Sequence, residues 1–171
     1  PLVFWLWSSA AGEPDASRLT AAANIEDVSV TTADGRTLRG YMLRAIQAPD
    51  TPERTTGYLL VVQGNAMLAD QLITHFSPFA ARGYDVDIFD YRGYGRSEGK
   101  RRLKAMLSDY RQIIHHLDAL PYRQRTFYGL SFGGVVLLDA LRNQTGNMIV
   151  AIDSTPSRLS GYGCPAAHDP V

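Results

Sequence analysis

The sequence has 171 residues, a formal net charge of zero and 45% hydrophobic residues. This length suits one domain that buries roughly 68–70% of its unfolded surface, and the apolar content excludes a largely disordered protein. Balanced charge disfavours a nucleic-acid binder, which needs a positive excess. A single cysteine, Cys164, excludes an intramolecular disulfide framework and a cysteine-rich zinc site.

The chain begins with a strongly apolar run, Leu2–Trp7, which is far shorter than the roughly 20 residues of a membrane span. Small residues follow it, as they follow the apolar core of a signal peptide. Two interpretations of residues 1–24 stay open: the remnant of a signal or anchor segment, or an apolar arm packed on the domain. The first would associate the protein with the cell envelope and its membrane, and the second is compatible with the cytoplasm.

Residues 25–153 are predicted to form the core, because runs of apolar residues typical of strands alternate with helical spacing. Strands are expected at 27–32, 37–46, 57–63, 84–89, 125–129 and 148–153, and helices at 67–82, 103–120 and 132–143. Asp34-Gly35 favours a tight hairpin turn between the first two strands. The pattern predicts the α/β class: a three-layer αβα sandwich with a mainly parallel sheet and an antiparallel N-terminal hairpin. Residues 154–171, rich in Pro, Gly and Ser, are expected to be an irregular tail.

The strongest functional signal is Gly129-Leu130-Ser131-Phe132-Gly133, a G-x-S-x-G pattern between a predicted strand and a predicted helix. In this context the pattern is typical of a nucleophile elbow, where a sharp turn presents the serine and the helix N-terminus faces a developing oxyanion. Ser131 is therefore a candidate nucleophile, and the Phe132 N–H is a candidate oxyanion donor. The alternative is a glycine-rich turn in which Ser131 only caps the helix.

A second loop, Gln63-Gly64-Asn65-Ala66, follows the strand at 57–63. Acyl transfer needs a second N–H donor from this loop, and the backbone of Asn65 is placed to supply it. The alternative is that Asn65 caps the helix that starts near Met67, and the two roles are compatible.

A third loop, Asp90–Gly99 (DYRGYGRSEG), follows the strand at 84–89. Its glycines match neither G-x-G-x-x-G nor G-x-x-x-x-G-K-[ST], so a nucleotide-binding domain has little support. Most of these residues are expected to form a hydrogen-bonded structural loop.

In this order and spacing, QGNA, DYRGYGRSEG and GLSFGG resemble the α/β-hydrolase superfamily, and most of all its lysophospholipase-like and BEM46-like serine hydrolases. The resemblance spans about residues 27–153. It implies that Ser131 is the nucleophile and that the Asn65 and Phe132 amides form the oxyanion hole. Gln63 stands where these proteins usually have His. Because that position supports the loop, a tuned site is expected rather than an inactive one.

The catalytic acid and base are harder to place, because in this fold they follow the serine in the order Asp or Glu, then His. No strand pattern follows Asp153, and the last two βα units of the fold are expected to be absent. Asp153 is the best-placed acid, with a hydrogen-bonded strand-end carboxylate as the alternative. His168 is the candidate base, although a tail holds a side chain poorly. His75, His115 and His116 precede the elbow and are expected to be structural.

The sequence therefore predicts a serine hydrolase that cleaves carboxylic esters through an acyl-enzyme, on a small-molecule ester or lipid-like substrate. No cofactor, metal or nucleic acid is expected. The alternative is a non-catalytic α/β-hydrolase-like module that binds a small apolar ligand or a protein partner. The strand at 148–153 is expected at an uncovered sheet edge, which favours self-association.

Overall fold

The computed structural model describes residues 9–46 and 55–156. The apolar run Leu2–Trp7, Cys164, His168 and residues 157–171 of the predicted tail lie outside these ranges. The strands are β1 (Ile25–Thr31), β2 (Thr37–Leu43), β3 (Gly57–Val62), β4 (Tyr84–Phe89), β5 (Gln124–Leu130) and β6 (Ile149–Asp153). The α-helices are α1 (Ala69–Leu72), α2 (Ser77–Ala80), α3 (Leu103–Asp118) and α4 (Phe132–Leu141), and 3₁₀ turns span Ser9–Ala11, Ala16–Ala21 and Ile73–Phe76.

The six strands form one sheet in the order β1-β2-β4-β3-β5-β6. The β1–β2 and β2–β4 pairs are antiparallel, whereas β3 pairs in parallel with β4 and β5, and β5 pairs in parallel with β6. The hairpin therefore joins a parallel sheet at one side. The predicted α/β class and the predicted strand order along the chain are confirmed.

Two apolar cores lie on opposite faces of the sheet, because successive strand residues point to opposite sides. One core joins α3 and α4 to the sheet through residues such as Ile113, Leu137 and Phe127. The other joins α1 and α2 through residues such as Ala69, Ala80 and Val86. All six residues of β3 are buried, as expected for a central strand covered on both faces.

The continuous helix predicted for 67–82 is wrong. The segment folds as α1, a 3₁₀ turn and α2. Pro78 stands in the first turn of α2, where its missing N–H is tolerated; inside one long helix it would remove a hydrogen bond. The helix also starts later than predicted, because the Leu68 N–H donates to Gln71 Oε1 and the Ala69 N–H to Asp90 Oδ1.

The strand β6 lies at the edge of the sheet beside β5, and every one of its residues is exposed. Ile149 is 51% exposed, although it is a large apolar residue. No helix within residues 9–46 and 55–156 combines the length and the apolar character of a membrane span.

Candidate active site

Ser131 occupies the sharp turn between β5 and α4, with φ of 52° and ψ of −119°. This left-handed region is costly for a residue with a side chain. The Ser131 N–H donates to the Asp153 carbonyl at 2.8 Å, which ties the turn to the end of β6. The Ser131 side chain makes no capping hydrogen bond to α4. The structure therefore disfavours the interpretation of Ser131 as a simple helix cap.

The glycines around Ser131 explain the spacing of the G-x-S-x-G pattern. A Cβ on Gly133 would overlap the backbone carbonyl oxygen of Val62, at the end of β3. A Cβ on Gly129 would lie 2.6 Å from the Cα of Gly134, which is closer than real Cβ atoms approach. Gly133 therefore lets α4 pack directly against β3, and Gly129 lets it pack against β5.

The loop Gln63–Ala66 lies beside the elbow. An added Cβ on Gly64 would be 3.6 Å from the Ser131 Cβ, so the loop predicted to hold the second oxyanion donor is next to the candidate nucleophile. Ala66 has φ of 63° and Ser154 has φ of 50°. With Ser131 they are the non-glycine residues of positive φ in the described ranges, and each follows a parallel strand at the carboxyl edge of the sheet. Strain of this kind clusters at functional sites.

Two tyrosines of the glycine-rich loop brace the Gln63–Ala66 loop. The Tyr91 hydroxyl donates to the Gln63 carbonyl at 2.5 Å, and the Tyr94 hydroxyl donates to Asn65 Oδ1 at 2.5 Å. The Tyr91 ring also packs edge-on against Phe132, with 5.7 Å between ring centroids. One buried aromatic pair thus supports both backbone segments that carry the predicted oxyanion amides.

The sequence pattern does not predict this bracing role, and it indicates a mostly structural loop at 90–99. The position of the loop, at the carboxyl end of a buried strand, is the one where ligand sites form in α/β sheets, but it does not single out Tyr91 and Tyr94.

Asp90 links the glycine-rich loop to the start of α1, which follows the Gln63–Ala66 loop. Its side chain is buried, and Oδ1 accepts the Ala69 N–H at the start of α1. Burial raises the pKa of Asp90 to about 6, partly offset by that hydrogen bond. Asp90, rather than Asn65, meets the N-terminus of this helix, so the predicted capping role of Asn65 is wrong.

The polar side chains of the Gln63–Ala66 loop are only partly satisfied. Gln63 is fully buried, yet neither atom of its amide has a hydrogen-bond partner within the described ranges. The same holds for Nδ2 of Asn65. Buried amides usually find partners, so these unsatisfied atoms are an energetic cost that the loop carries.

Asp153 ends β6 and stands in register with Leu130, next to the candidate nucleophile. Its Oδ2 accepts the Tyr128 hydroxyl and its Oδ1 accepts the Ser154 hydroxyl, both at 2.8 Å. These two hydrogen bonds lower the pKa of Asp153. The carboxylate is exposed and ionised, and its contacts are those of a strand-end aspartate.

The described residues that follow Ser131 include no histidine. His75 lies in the 3₁₀ turn after α1, and His115 and His116 lie in the last turn of α3. All three are exposed and precede the elbow in the chain. The structure therefore brings together Ser131, Phe132, Asn65 and Asp153, while the predicted base His168 lies outside the described residues.

Two cavities lie at the opposite, amino edge of the sheet. One has a volume of about 490 Å³ and is lined by residues such as Gln124 and Ile149. The other has a volume of about 350 Å³ and is lined by residues such as Asp85, Asp87 and His116; we call it the amino-edge cavity. Neither includes Ser131. Within the described parts of the chain, no group of three His, Cys, Asp or Glu side chains is arranged to hold a metal ion.

Comparison with known proteins points to one family. The family model described as serine aminopeptidase, S33, matches residues 53–159. The uncharacterized protein YfhR of Escherichia coli (strain K12) is 30% identical over 138 residues, which cover 76% of this chain and 47% of YfhR. The quorum-quenching protein AidA of Acinetobacter baumannii (strain MDR-ZJ06) is 30% identical over 129 residues, covering 71% of this chain and 42% of AidA.

Solved structures agree at the level of fold. The esterase Pf2001 of Pyrococcus furiosus superposes with a TM-score of 0.65 at 20% identity, over 87% of this chain and 55% of that chain. The chain spans about half the length of the curated relatives it matches.

Proposed function

This chain belongs to the serine aminopeptidase S33 family of the α/β-hydrolase superfamily, and we propose that it is a serine hydrolase that cleaves carboxylic esters. The observation that carries the proposal is the strained elbow at Ser131, with φ of 52° between β5 and α4. A strained serine between a parallel strand and a helix is the arrangement that presents a nucleophile at the sheet edge.

In the proposed reaction, Ser131 Oγ attacks the carbonyl carbon of the ester and gives its proton to a general base. The carbonyl oxygen becomes an oxyanion, which accepts hydrogen bonds from the backbone N–H groups of Asn65 and Phe132. Phe132 is the first residue of α4, so its N–H lies at the positive end of the helix dipole. Collapse of this intermediate expels the alcohol, which takes up the proton, and leaves an acyl-serine. Water then hydrolyses the acyl-serine by the same steps.

The bracing by Tyr91 and Tyr94 supports this proposal. Oxyanion donors stabilise a transition state only when they are held in place before the charge develops. The two hydroxyls hold the carbonyl of Gln63 and the side chain of Asn65, on either side of Gly64. We propose that they are positioning residues for the Asn65 amide.

The catalytic acid and base are proposed separately. Asp153 is adjacent to the elbow and ionised, and His168 is the histidine that follows Ser131 in the sequence. We propose Asp153 as the acid to be tested first, since its carboxylate stands in register with the residue before the nucleophile.

One observation favours a second candidate function, a non-catalytic α/β-hydrolase-like module. The described residues after Ser131 hold no histidine, so a general base, which a serine nucleophile needs near neutral pH, is not placed within the described ranges. Such a module would use the same edge to bind a small apolar ligand or a protein partner.

A fluorophosphonate probe tests the proposal, because it labels activated serines and spares idle ones. We expect labelling of the natural full-length protein and none of its Ser131→Ala variant. Ser108→Ala is the matched control: Ser108 is an exposed serine on α3 whose hydroxyl accepts a hydrogen bond from the Gln112 side chain, and its removal should leave labelling intact.

Hydrolysis of p-nitrophenyl butyrate gives the second measurement. We expect Ser131→Ala to reduce kcat/KM of the natural full-length protein by roughly 10³-fold or more, and we expect weak or no turnover by the 171 residues alone. Equal turnover by wild type and Ser131→Ala would remove Ser131 as the nucleophile. Absence of labelling in the natural full-length protein would favour the binding module.

A further inference from the structure

Two buried carboxylates stand together on β4, at the edge of the sheet away from Ser131. Asp85 and Asp87 are two residues apart in one strand, so they point to the same face, and each is 2% exposed. Asp85 is level with Arg125 through the β4–β3 and β3–β5 registers. Arg125 precedes Ser131 by about 20 Å of extended strand. Phe127, which is level with Asp87, precedes Ser131 by about 13 Å. The pair therefore lies outside the candidate active site.

Asp85 has a full set of partners. Its Oδ1 accepts the Ala45 N–H at 2.8 Å, and its Oδ2 accepts the Tyr122 hydroxyl at 2.8 Å. Arg44 reaches Asp85 at 3.5 Å while it forms a closer ion pair of 3.0 Å with Glu26. These contacts explain why a carboxylate is tolerated at this buried position.

Asp87 lacks such partners. Its Oδ2 is buried with no hydrogen bond within the described ranges. Burial, together with the neighbouring charge of Asp85, raises the pKa of Asp87 to about 7. A buried carboxyl without a donor is costly, and the fold nevertheless keeps it in the wall of a cavity.

The amino-edge cavity has the size and lining of a small-molecule site. Its volume of about 350 Å³ lies in the usual range for such sites, which are mostly apolar with a few polar groups. The carboxylates form one wall, with Arg44, His116 and Tyr122 nearby. The apolar part of the lining includes Val28, Met42, Phe89, Leu117, Leu120 and Pro121.

We propose that the amino-edge cavity binds a small organic cation, an amine or amidinium with a short apolar body, whose N–H groups donate to Asp87. Such a ligand supplies the donor that Asp87 lacks and offsets the repulsion between Asp87 and Asp85. Its apolar body covers the opposite wall. Arg44 already acts on the pair, since it reaches Asp85 at 3.5 Å and its charge lowers the pKa of Asp87. Its closer partner is Glu26 at 3.0 Å, however, and it makes no hydrogen bond to Asp87 Oδ2.

An amidinium matches the site best among simple cations. Its planar N–H groups pair with a carboxylate in the same way as an arginine fork. A metal ion fits less well, since the described residues provide no group of three ligands. The natural ligand is thus expected to carry a positively charged nitrogen on a compact apolar group.

Benzamidine and benzamide provide a matched pair of probes with the same ring, one charged and one neutral. Titration of the 171-residue chain by calorimetry at pH 8 should show benzamidine binding at least roughly tenfold more tightly than benzamide. Asp87→Asn should abolish this preference. Asp139→Asn is the control variant, because Asp139 pairs with Arg111 on the helix surface and should leave the preference unchanged.

The pH dependence provides a second readout. Affinity for benzamidine should rise between pH 6 and pH 8, because the cation favours the ionised form of Asp87. The charged and titratable groups around Asp87 are Asp85, Arg44, Tyr122 and His116. A His116→Gln variant should keep the rise, since it leaves Asp87 in place. Equal binding of the two probes, binding of neither, or benzamidine preference retained in Asp87→Asn would overturn the proposal.

Discussion

The two sides of the Ser131 turn differ in how firmly they are held. Toward β3 and β4, the turn meets a fully buried strand, a loop held by the Tyr91 and Tyr94 hydroxyls, and the buried carboxyl of Asp90. Toward β6, it meets a strand whose residues are all exposed. We call these the braced side and the open side.

The difference follows from what each side must do in the proposed reaction. Oxyanion donors act only when they are already in position, and buried aromatic packing provides that rigidity. The open side contributes one aspartate, held by two exposed hydrogen bonds. An exposed carboxylate held in this way gains little from its contacts, because solvent competes for both partners. The described part of the chain thus contains a rigid candidate oxyanion site and a loosely held candidate acid.

The largest effect is expected on the braced side, from Gly133→Ala. The new Cβ would overlap the carbonyl oxygen of Val62, and neither backbone can yield easily, so we expect a loss of roughly 3 kcal/mol in unfolding free energy. Urea unfolding followed by circular dichroism measures the loss. Gly64→Ala is the control: its Cβ would meet the flexible Sδ of Met67 at 3.1 Å, and the cost should stay below about 1 kcal/mol. Equal losses of unfolding free energy in the two variants would mean that the contact between α4 and β3 is no more rigid than the Gln63–Ala66 loop.

An intermediate effect is expected from Asp90→Asn, and it depends on pH. Burial raises the pKa of Asp90 to about 6, above the value near 4 of an unfolded chain. Between these pH values the folded protein keeps a proton that the unfolded chain has lost, so the unfolding free energy falls as pH rises. The stability that comes from the protonated Asp90 side chain is fully present below about pH 4 and is lost as pH rises through about 6. The unfolding free energy falls by at most about 3 kcal/mol over this range.

The amide that Asp90→Asn introduces cannot ionise, so the variant should lose less stability than the wild type between pH 4.5 and pH 7. Its own cost, from one weakened hydrogen bond, is about 1 kcal/mol and independent of pH. Urea unfolding at both pH values checks the difference in slope. The same change of unfolding free energy with pH in the two proteins would show that Asp90 ionises normally. Water would then reach the braced side more than its burial indicates.

The smallest effect on stability is expected from Asp153→Asn on the open side. The carboxylate is exposed, and its partners Tyr128 and Ser154 can both turn to water, so the urea midpoint should stay within experimental error. Turnover of p-nitrophenyl butyrate then decides the role of Asp153: a drop without destabilisation would support an acid, and no change would support a strand-end aspartate. A clear fall in the midpoint would contradict the contrast between the two sides.

Most of the fold could be predicted from the sequence, because local patterns carry it. The apolar run of β3 and the helical stripe of α3 fall within two residues of the predicted bounds. The prediction failed at 67–82, where the apolar stripe continues through Pro78 and three short elements replace one helix. An apolar stripe reports which face is buried, and it does not report where backbone hydrogen bonds are interrupted.

The candidate site was predicted less completely. Ser131, Phe132 and Asn65 could be named because their motifs sit at the ends of predicted strands. Tyr91 and Tyr94 could not, since their role depends on hydroxyls that reach residues far away along the chain. The same holds for Asp87, whose lack of a partner is visible only when the surrounding elements are in place.

By itself, the sequence determined the α/β class, the order of the elements and the position of a strained serine turn. These depend on periodicity and on glycine spacing, which act over a few residues. The tertiary structure alone decided which side of that turn is braced, which aspartate meets the start of α1, and which carboxylate is left without a donor. Those features depend on contacts between distant segments, where burial and hydrogen bonding are set by the neighbours rather than by the local chain.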